Sequence, residues 1–263
     1  MTLGENTVIQ SINLKNEDNG TIKAISNKVI DSITDLLSNT SYSIIITTLT
    51  KDLFQTHEFY FQTRLVENPT VILDQIYVTE TSVKVVPRIY FTVNTFKFNY
   101  IEIKTSKDNI VAKLEEEDIA YIFNNLLSSK RYIINYNYSY DLLDGNGLKT
   151  RNRGAIFYTN SFIKPSMEFK SIKVNKNSIS FEVADIMDKI APNYIETRLY
   201  KNSDLIETTK ERKYTFTGLE SDVTYLVETH YSYNLLDGNG DINETLRATV
   251  VTNENSIIYE EIK

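Results

Sequence analysis

The chain has 263 residues, 41% of them hydrophobic, a formal charge of −7 and no cysteine. Those figures exclude a disordered chain, a disulfide framework or Cys-ligated metal, and the positive field that nucleic acid or an anionic membrane needs as main partner. No run of roughly 18 apolar residues is present, so no spanning helix is expected, and residues 1–8 lack the basic and apolar regions of a secretory signal.

In chain order, the stretch from Ile12 to Ile22 parallels a later one from Ile101 to Ile110. Val29, Ile30, Ile33, Leu36 and Leu37 then recur at helical spacing. Leu36 is followed six residues later by Tyr42, across the polar run Ser38-Asn39-Thr40-Ser41, which reads as a turn. Ile44 and Ile46 continue with period two, the mark of a half-buried antiparallel strand. His57 precedes a second apolar strand, Phe59-Tyr60-Phe61. A short link, residues 64–68, leads to Pro69, which opens an alternating stretch through Val71, Val83 and Val85. Asn99-Tyr100-Ile101-Glu102 follows, and then the acidic run Glu115–Asp118, expected to be a solvated loop. Ile119, Ile122, Phe123 and Leu126 return to helical spacing, whereas the matching later segment, residues 213–218, alternates. Residues 28–37 and 118–127 are therefore each either strand or short helix.

An internal repeat organises the rest. Tyr138-Ser139-Tyr140-Asp141-Leu142-Leu143-Asp144-Gly145-Asn146-Gly147 returns as Tyr231-Ser232-Tyr233-Asn234-Leu235-Leu236-Asp237-Gly238-Asn239-Gly240, identical at nine of ten positions. Asn193-Tyr194-Ile195-Glu196 repeats residues 99–102, and Pro165 opens an alternating stretch as Pro69 does. Leucine and tyrosine six residues apart occur three times, at Leu36/Tyr42, Leu126/Tyr132 and Leu219/Tyr225. Asp-Gly and Asn-Gly between alternating segments specify hairpin turns, since both tolerate positive φ, so Asp144–Gly147 and Asp237–Gly240 are expected at hairpin tips.

Leu-x5-Tyr opening an alternating strand resembles the tyrosine corner of fibronectin type III and related immunoglobulin-like sandwiches. That resemblance implies a Tyr hydroxyl bonded to backbone a few residues upstream. Residues 194–200 and the turn after them resemble strand C of that family, and residues 214–219 its strand E. The family usually buries a Trp on strand B; this chain has none, and Val85 and Phe181 stand at the matching positions. The resemblance implies an all-β tandem of fibronectin type III-like sandwiches: a truncated module over 1–67, full modules over 68–163 and 164–254, and a tail over 255–263 able to add a strand. In the first module the chain starts near strand C, so the two opening strands are expected to be missing. An exposed sheet face of roughly 400 Å² corresponds to at most about 10 kcal/mol of burial, and an unpaired edge is a template for another chain. A partner strand completing module 1 is therefore expected, the alternatives being completion by the chain's own tail or a smaller, self-contained sheet built from residues 1–67.

The repeated Tyr-x-Tyr-Asp/Asn-Leu-x-Asp-Gly-x-Gly is similar to a hairpin of tail and baseplate proteins of bacteriophages that infect Gram-positive hosts. This implies a structural virion connector or adaptor, made in the host cytoplasm, present in several copies of a symmetric assembly, and bound to other virion proteins rather than to nucleic acid or membrane. The alternative from another class is a bacterial surface adhesin or carbohydrate-binding module. Alternation places part of the tyrosine tracts at 132–140 and 225–233 outward, where rings can stack on sugar.

No catalytic, cofactor or metal residues are expected. Read as a calcium loop from Asp237, the sixth position is Ile242 rather than Gly and the twelfth is Ala248 rather than Glu. His57 and His230, the only histidines, have no triad-like neighbours, and no phosphate-cradling Gly loop precedes a helix.

Overall fold

The computed structural model describes residues 7–25, 32–91, 95–253 and 256–257. Among them there is no helix; all regular structure is strand, as the period-two alternation dictates. The chain packs as two compact units. One comprises Met1–Ile76, Val85–Tyr121 and Ile133–Ile156; the other comprises Tyr77–Lys84, Ile122–Tyr132 and Phe157–Lys263.

The first module is a single antiparallel sheet built from β1 (Thr7–Asn16), β2 (Ile22–Ala24), β3 (Ser41–Thr50) and β4 (Leu53–Gln62), in the order β2-β1-β3-β4. The expected loss of two opening strands understates the difference, because residues 32–37, preceding Tyr42, form no strand either. Among the described residues the whole second sheet is absent.

The middle module has both sheets. β5 (Thr70–Val78), β6 (Val83–Tyr90) and β9 (Tyr121–Phe123) form one, ordered β5-β6-β9. β7 (Lys97–Thr105), β8 (Ile110–Leu114), β10 (Arg131–Asp141) and β11 (Leu148–Tyr158) form the other, ordered β11-β10-β7-β8. The helical spacing around residue 122 is overruled here. Ile119 is 85% and Ile122 57% exposed, while Tyr121 and Phe123 are buried, which is the two-residue period of β9. The other ambiguous segment falls partly on residues 28–31, outside the described residues; residues 32–37 are not helical.

The third module repeats the plan. β12 (Ser166–Asn175), β13 (Ser178–Ile186) and β16 (Lys213–Thr217) make one sheet, joined at its edge by β19 (Ser256–Ile257). The tail thus pairs within its own module, Val174 opposite Ser256. β14 (Asn193–Lys201), β15 (Asp204–Thr209), β17 (Thr224–Asn234) and β18 (Asp241–Val251) make the other, ordered β15-β14-β17-β18. One core joins the two layers, with Val174, Ile179, Phe181 and Phe216 packing with Leu199, Tyr225, Val227 and Val250.

Register shows that the first sheet is the same object as the four-stranded sheet of module 3. Leu14 faces Ile44 as Leu199 faces Val227, and Ile12 faces Ile46 as Thr197 faces Thr229. Both ladders then slip by one residue, between Ile9 and Ser11 and between Tyr194 and Glu196, a bulge that turns the strand end. The bulges between Ile103 and Lys104 and between Leu199 and Tyr200 also correspond. They match Ile103 to Leu199, so the two Asn-Tyr-Ile-Glu segments lie two residues apart in register. A shift of two keeps each side chain on its face.

Candidate interaction site: corners, hairpins and an open sheet

Three loops precede β3, β10 and β17, and all three fold alike. A residue with left-handed backbone comes first, Asp35, Asn125 or Gly218, with φ of 61°, 58° and 70°. Leu36, Leu126 or Leu219 follows, half-buried in the first corner and buried in the other two, and a second left-handed residue, Asn39, Ser129 or Asp222, closes the turn at φ of 51°, 55° and 58°. Between them lies Leu37, Leu127 or Glu220, whose backbone would be left without partners if the strands held nothing for it. Its N–H donates to the hydroxyl of Tyr42, Tyr132 or Tyr225, at 2.9, 2.9 and 3.1 Å.

A threonine that sequence reading did not single out completes each corner. Thr63, Thr159 and Thr252 donate from Oγ1 to the carbonyl of that same middle residue, at 2.5, 2.7 and 2.6 Å. The same oxygen accepts the N–H of Thr40, Lys130 or Val223. Tyrosine and threonine thus clamp one peptide from both sides. The only sequence signal was that each threonine stands just past the last strand of its module.

The predicted hairpin tips lie between β10 and β11 and between β17 and β18. Asp141 and Asn234 accept the N–H of Leu143 and Leu236, which hold those leucines at φ of 54° and 53°. A left-handed leucine costs about 1–2 kcal/mol, and both spend that cost on the same contact. The Leu143 carbonyl accepts the Ser38 N–H of the first corner at 2.6 Å. In the other unit, the Leu236 carbonyl accepts the Ser128 N–H of the second corner at 2.9 Å. Ser128 Oγ also donates to the Leu235 carbonyl. Each joint between successive modules is therefore a corner receiving the hairpin of the following module.

Beside each of these bonds a leucine side chain meets a glycine. A Cβ on Gly145 would stand 3.5 Å from Leu37 Cδ1, and one on Gly238 only 3.0 Å from Leu127 Cδ1. Gly145→Ala and Gly238→Ala share the backbone strain of φ near +82° and +83°, about 1–2 kcal/mol each. Gly238→Ala is expected to cost more, with the excess appearing as faster amide exchange at Ser128; equal exchange in the two variants would show that Leu127 does not press on the hairpin.

Charge supports the first hairpin. Lys149 bonds the Asp144 carboxylate at 2.9 Å and Asn146 N–H adds a second bond, which together hold the Asp144 pKa down to about 2. Asp237 is lowered as well, first by the Asn239 N–H, but Ile242 stands where Lys149 would be. Because the folded value is depressed, the stabilisation is complete above the ordinary carboxylate range and disappears as pH falls through about 2. A 13C carboxyl titration is expected to give Asp144 a lower midpoint than Asp237, and Lys149→Met is expected to bring the two together.

The tyrosine tracts do not form an outward platform. Tyr132, Tyr136, Tyr138 and Tyr140 share one parity and are all buried, as are Tyr225, Tyr231 and Tyr233. The open surface lies instead on the first sheet. Tyr42, Ile44, Ile46, Phe59 and Phe61 fall on one face with Ile12 and Leu14; Tyr42, Ile12 and Leu14 are buried, and the open part is the remainder. Phe59 is 48% exposed and Ile44 and Ile46 are only partly covered, whereas Ile134 and Val227, on the strands matching β3, are wholly buried. His57 lies across from Ile46, and His230 sits 3.5 Å from Glu228. Glu115 pairs with Lys113 on the surface. Among the described residues no cluster of His, Cys, Asp or Glu is arranged to hold a metal ion.

No protein-family model and no curated protein matches the chain. Among solved structures, the chain is similar to the FN1–FN3 domains of chicken CNTN1, at 10% identity over 94% of this chain and 90% of that one, with a TM-score of 0.26. It is also similar to a two-domain fibronectin type III segment of chicken tenascin, at 13% identity over 72% of this chain and 99% of that one, with a TM-score of 0.28.

Proposed function

We propose that the chain is a structural connector of a bacteriophage tail or baseplate, made in the host cytoplasm and working through contacts with other virion proteins. The observation that carries this reading is the first sheet. Part of its apolar face, with Ile44, Ile46 and Phe59, stays half-buried or exposed and has no second sheet over it among the described residues, while the equivalent face in module 3 packs on a second sheet. Burying such a face is favourable at about 25 cal/mol/Å², and the natural complement is an apolar β-layer of another polypeptide. The joints support the same reading, because the two long hairpins are engaged by corners of this chain and are not free binding loops. The resemblance of the hairpin sequence to that of phage tail proteins supports the virion part of this reading.

Co-expression with phage tail tube, hub and wedge proteins tests the proposal. A complex of defined stoichiometry holding several copies of the chain is expected, and Ile46→Lys is expected to abolish it while modules 2 and 3 stay folded. Binding of the isolated chain on a glycan array, with no assembly, would favour an adhesin and overturn the proposal.

A further inference from the structure

The third corner is built like the two that hold hairpins, yet among the described residues it holds none. Its lock is complete: Glu220 N–H to the Tyr225 hydroxyl at 3.1 Å, and Thr252 Oγ1 to the Glu220 carbonyl at 2.6 Å. Ser221 stands where Ser38 and Ser128 stand, but its N–H, which in those corners meets a hairpin carbonyl, has no partner among the described residues. Its hydroxyl turns to the neighbouring Asp222 at 2.7 Å, whereas that of Ser128 reaches into the docked hairpin.

The chemistry of the rim is reversed. The occupied second corner reads Leu127-Ser128-Ser129-Lys130; the Asp237 carboxyl, lowered first by its bonds to Asn239, is lowered a little further by the Lys130 charge. The third corner reads Glu220-Ser221-Asp222-Val223. An acid, paired on one side with Lys201, replaces the leucine that touches the hairpin glycine, a second acid replaces Ser129, and valine replaces Lys130, so the rim keeps a net negative charge. The hairpins of this chain carry Asp144 and Asp237 at their tips, so like charge disfavours one of them there.

We propose that the third corner is a docking point for a β-hairpin of another protein, one that presents a backbone carbonyl to Ser221 and a basic residue to Glu220 and Asp222. The occupied corners supply the geometry, and the two acids supply the selectivity. The first module cannot provide such a hairpin from a second copy, because Lys51 and Asp52 form a two-residue turn with no equivalent of Leu143 or Leu236.

The test uses the 15N-labelled full chain and two backbone-cyclised peptides copying residues 233–242, one unaltered and one carrying Asp237→Lys. The lysine peptide is expected to shift the amides of Glu220, Ser221 and Asp222 while leaving Ser38 and Ser128, already occupied, in place. Its advantage over the unaltered peptide is expected to be about fivefold at low salt, the upper range for exposed ion pairs, and to shrink as salt is added. Glu220→Lys, an exposed change, is expected to reverse the preference. No shift at the three amides with either peptide at millimolar concentration, or equal binding of both, would overturn the proposal.

Discussion

Phe181→Ala is expected to destabilise the third module by about 3–5 kcal/mol, the range for removing a large buried ring. Phe181 is 2% exposed, stacks on Phe216 with centroids 5.7 Å apart, and takes the ring of Phe169 edge-on at 6.4 Å. It stands on β13, and its neighbours Ile179, Leu199 and Val227 are fully buried. Rings that interlock in this way cannot collapse into the space without leaving rotamer wells, so the cavity persists. Urea unfolding of the full chain, read by hydrogen exchange at third-module amides, measures the loss without assuming that the modules unfold together. A loss below about 1 kcal/mol would mean that the ring is not a core element.

Tyr225→Phe is expected to cost about 1–3 kcal/mol in the same module, and Tyr136→Phe in the middle module to cost nothing or to stabilise. Both residues are buried tyrosines on the corresponding strands β17 and β10, so area and shape predict the same outcome for each. The hydroxyls separate them. Tyr225 accepts the Glu220 N–H, and its loss leaves that donor without its side-chain partner. Among the described residues the buried Tyr136 hydroxyl has only the neighbouring Tyr121 phenol in reach and makes no hydrogen bond of good geometry with it, and burial pushes its phenol far above the ordinary range. Removing it deletes an unmet polar group. Equal costs for the two variants would show that corner bonding contributes nothing beyond packing.

Much of the fold was legible because strand periodicity is a local signal. Val83 and Val85, or Ile179, Phe181 and Val183, alternate with polar neighbours and lie buried in the structure as that pattern requires. The all-β tandem follows from such stretches and from the repeat. Where local spacing was ambiguous, as at residues 119–126, the outcome depended on which side chains the opposite sheet could cover, and that is a tertiary property. The joints were illegible for the same reason. Nothing in Leu37-Ser38 or Leu127-Ser128 announces a bond to a carbonyl more than a hundred residues away, nor does Thr159 announce its bond to Leu127. The tyrosine tracts misled in the other direction. Their rings occupy alternate positions of one parity, so they fill the interior together instead of dividing between two faces.

Amide hydrogen exchange of the intact chain at Ser38, Ser128 and Ser221 is the most direct measurement of the repeated joint. Each serine occupies the same place in the same loop, and only the first two donate to a hairpin of the following module. Slow exchange at Ser38 and Ser128 together with fast exchange at Ser221 is the predicted result. Fast exchange at all three would contradict the docking of successive modules through corner and hairpin.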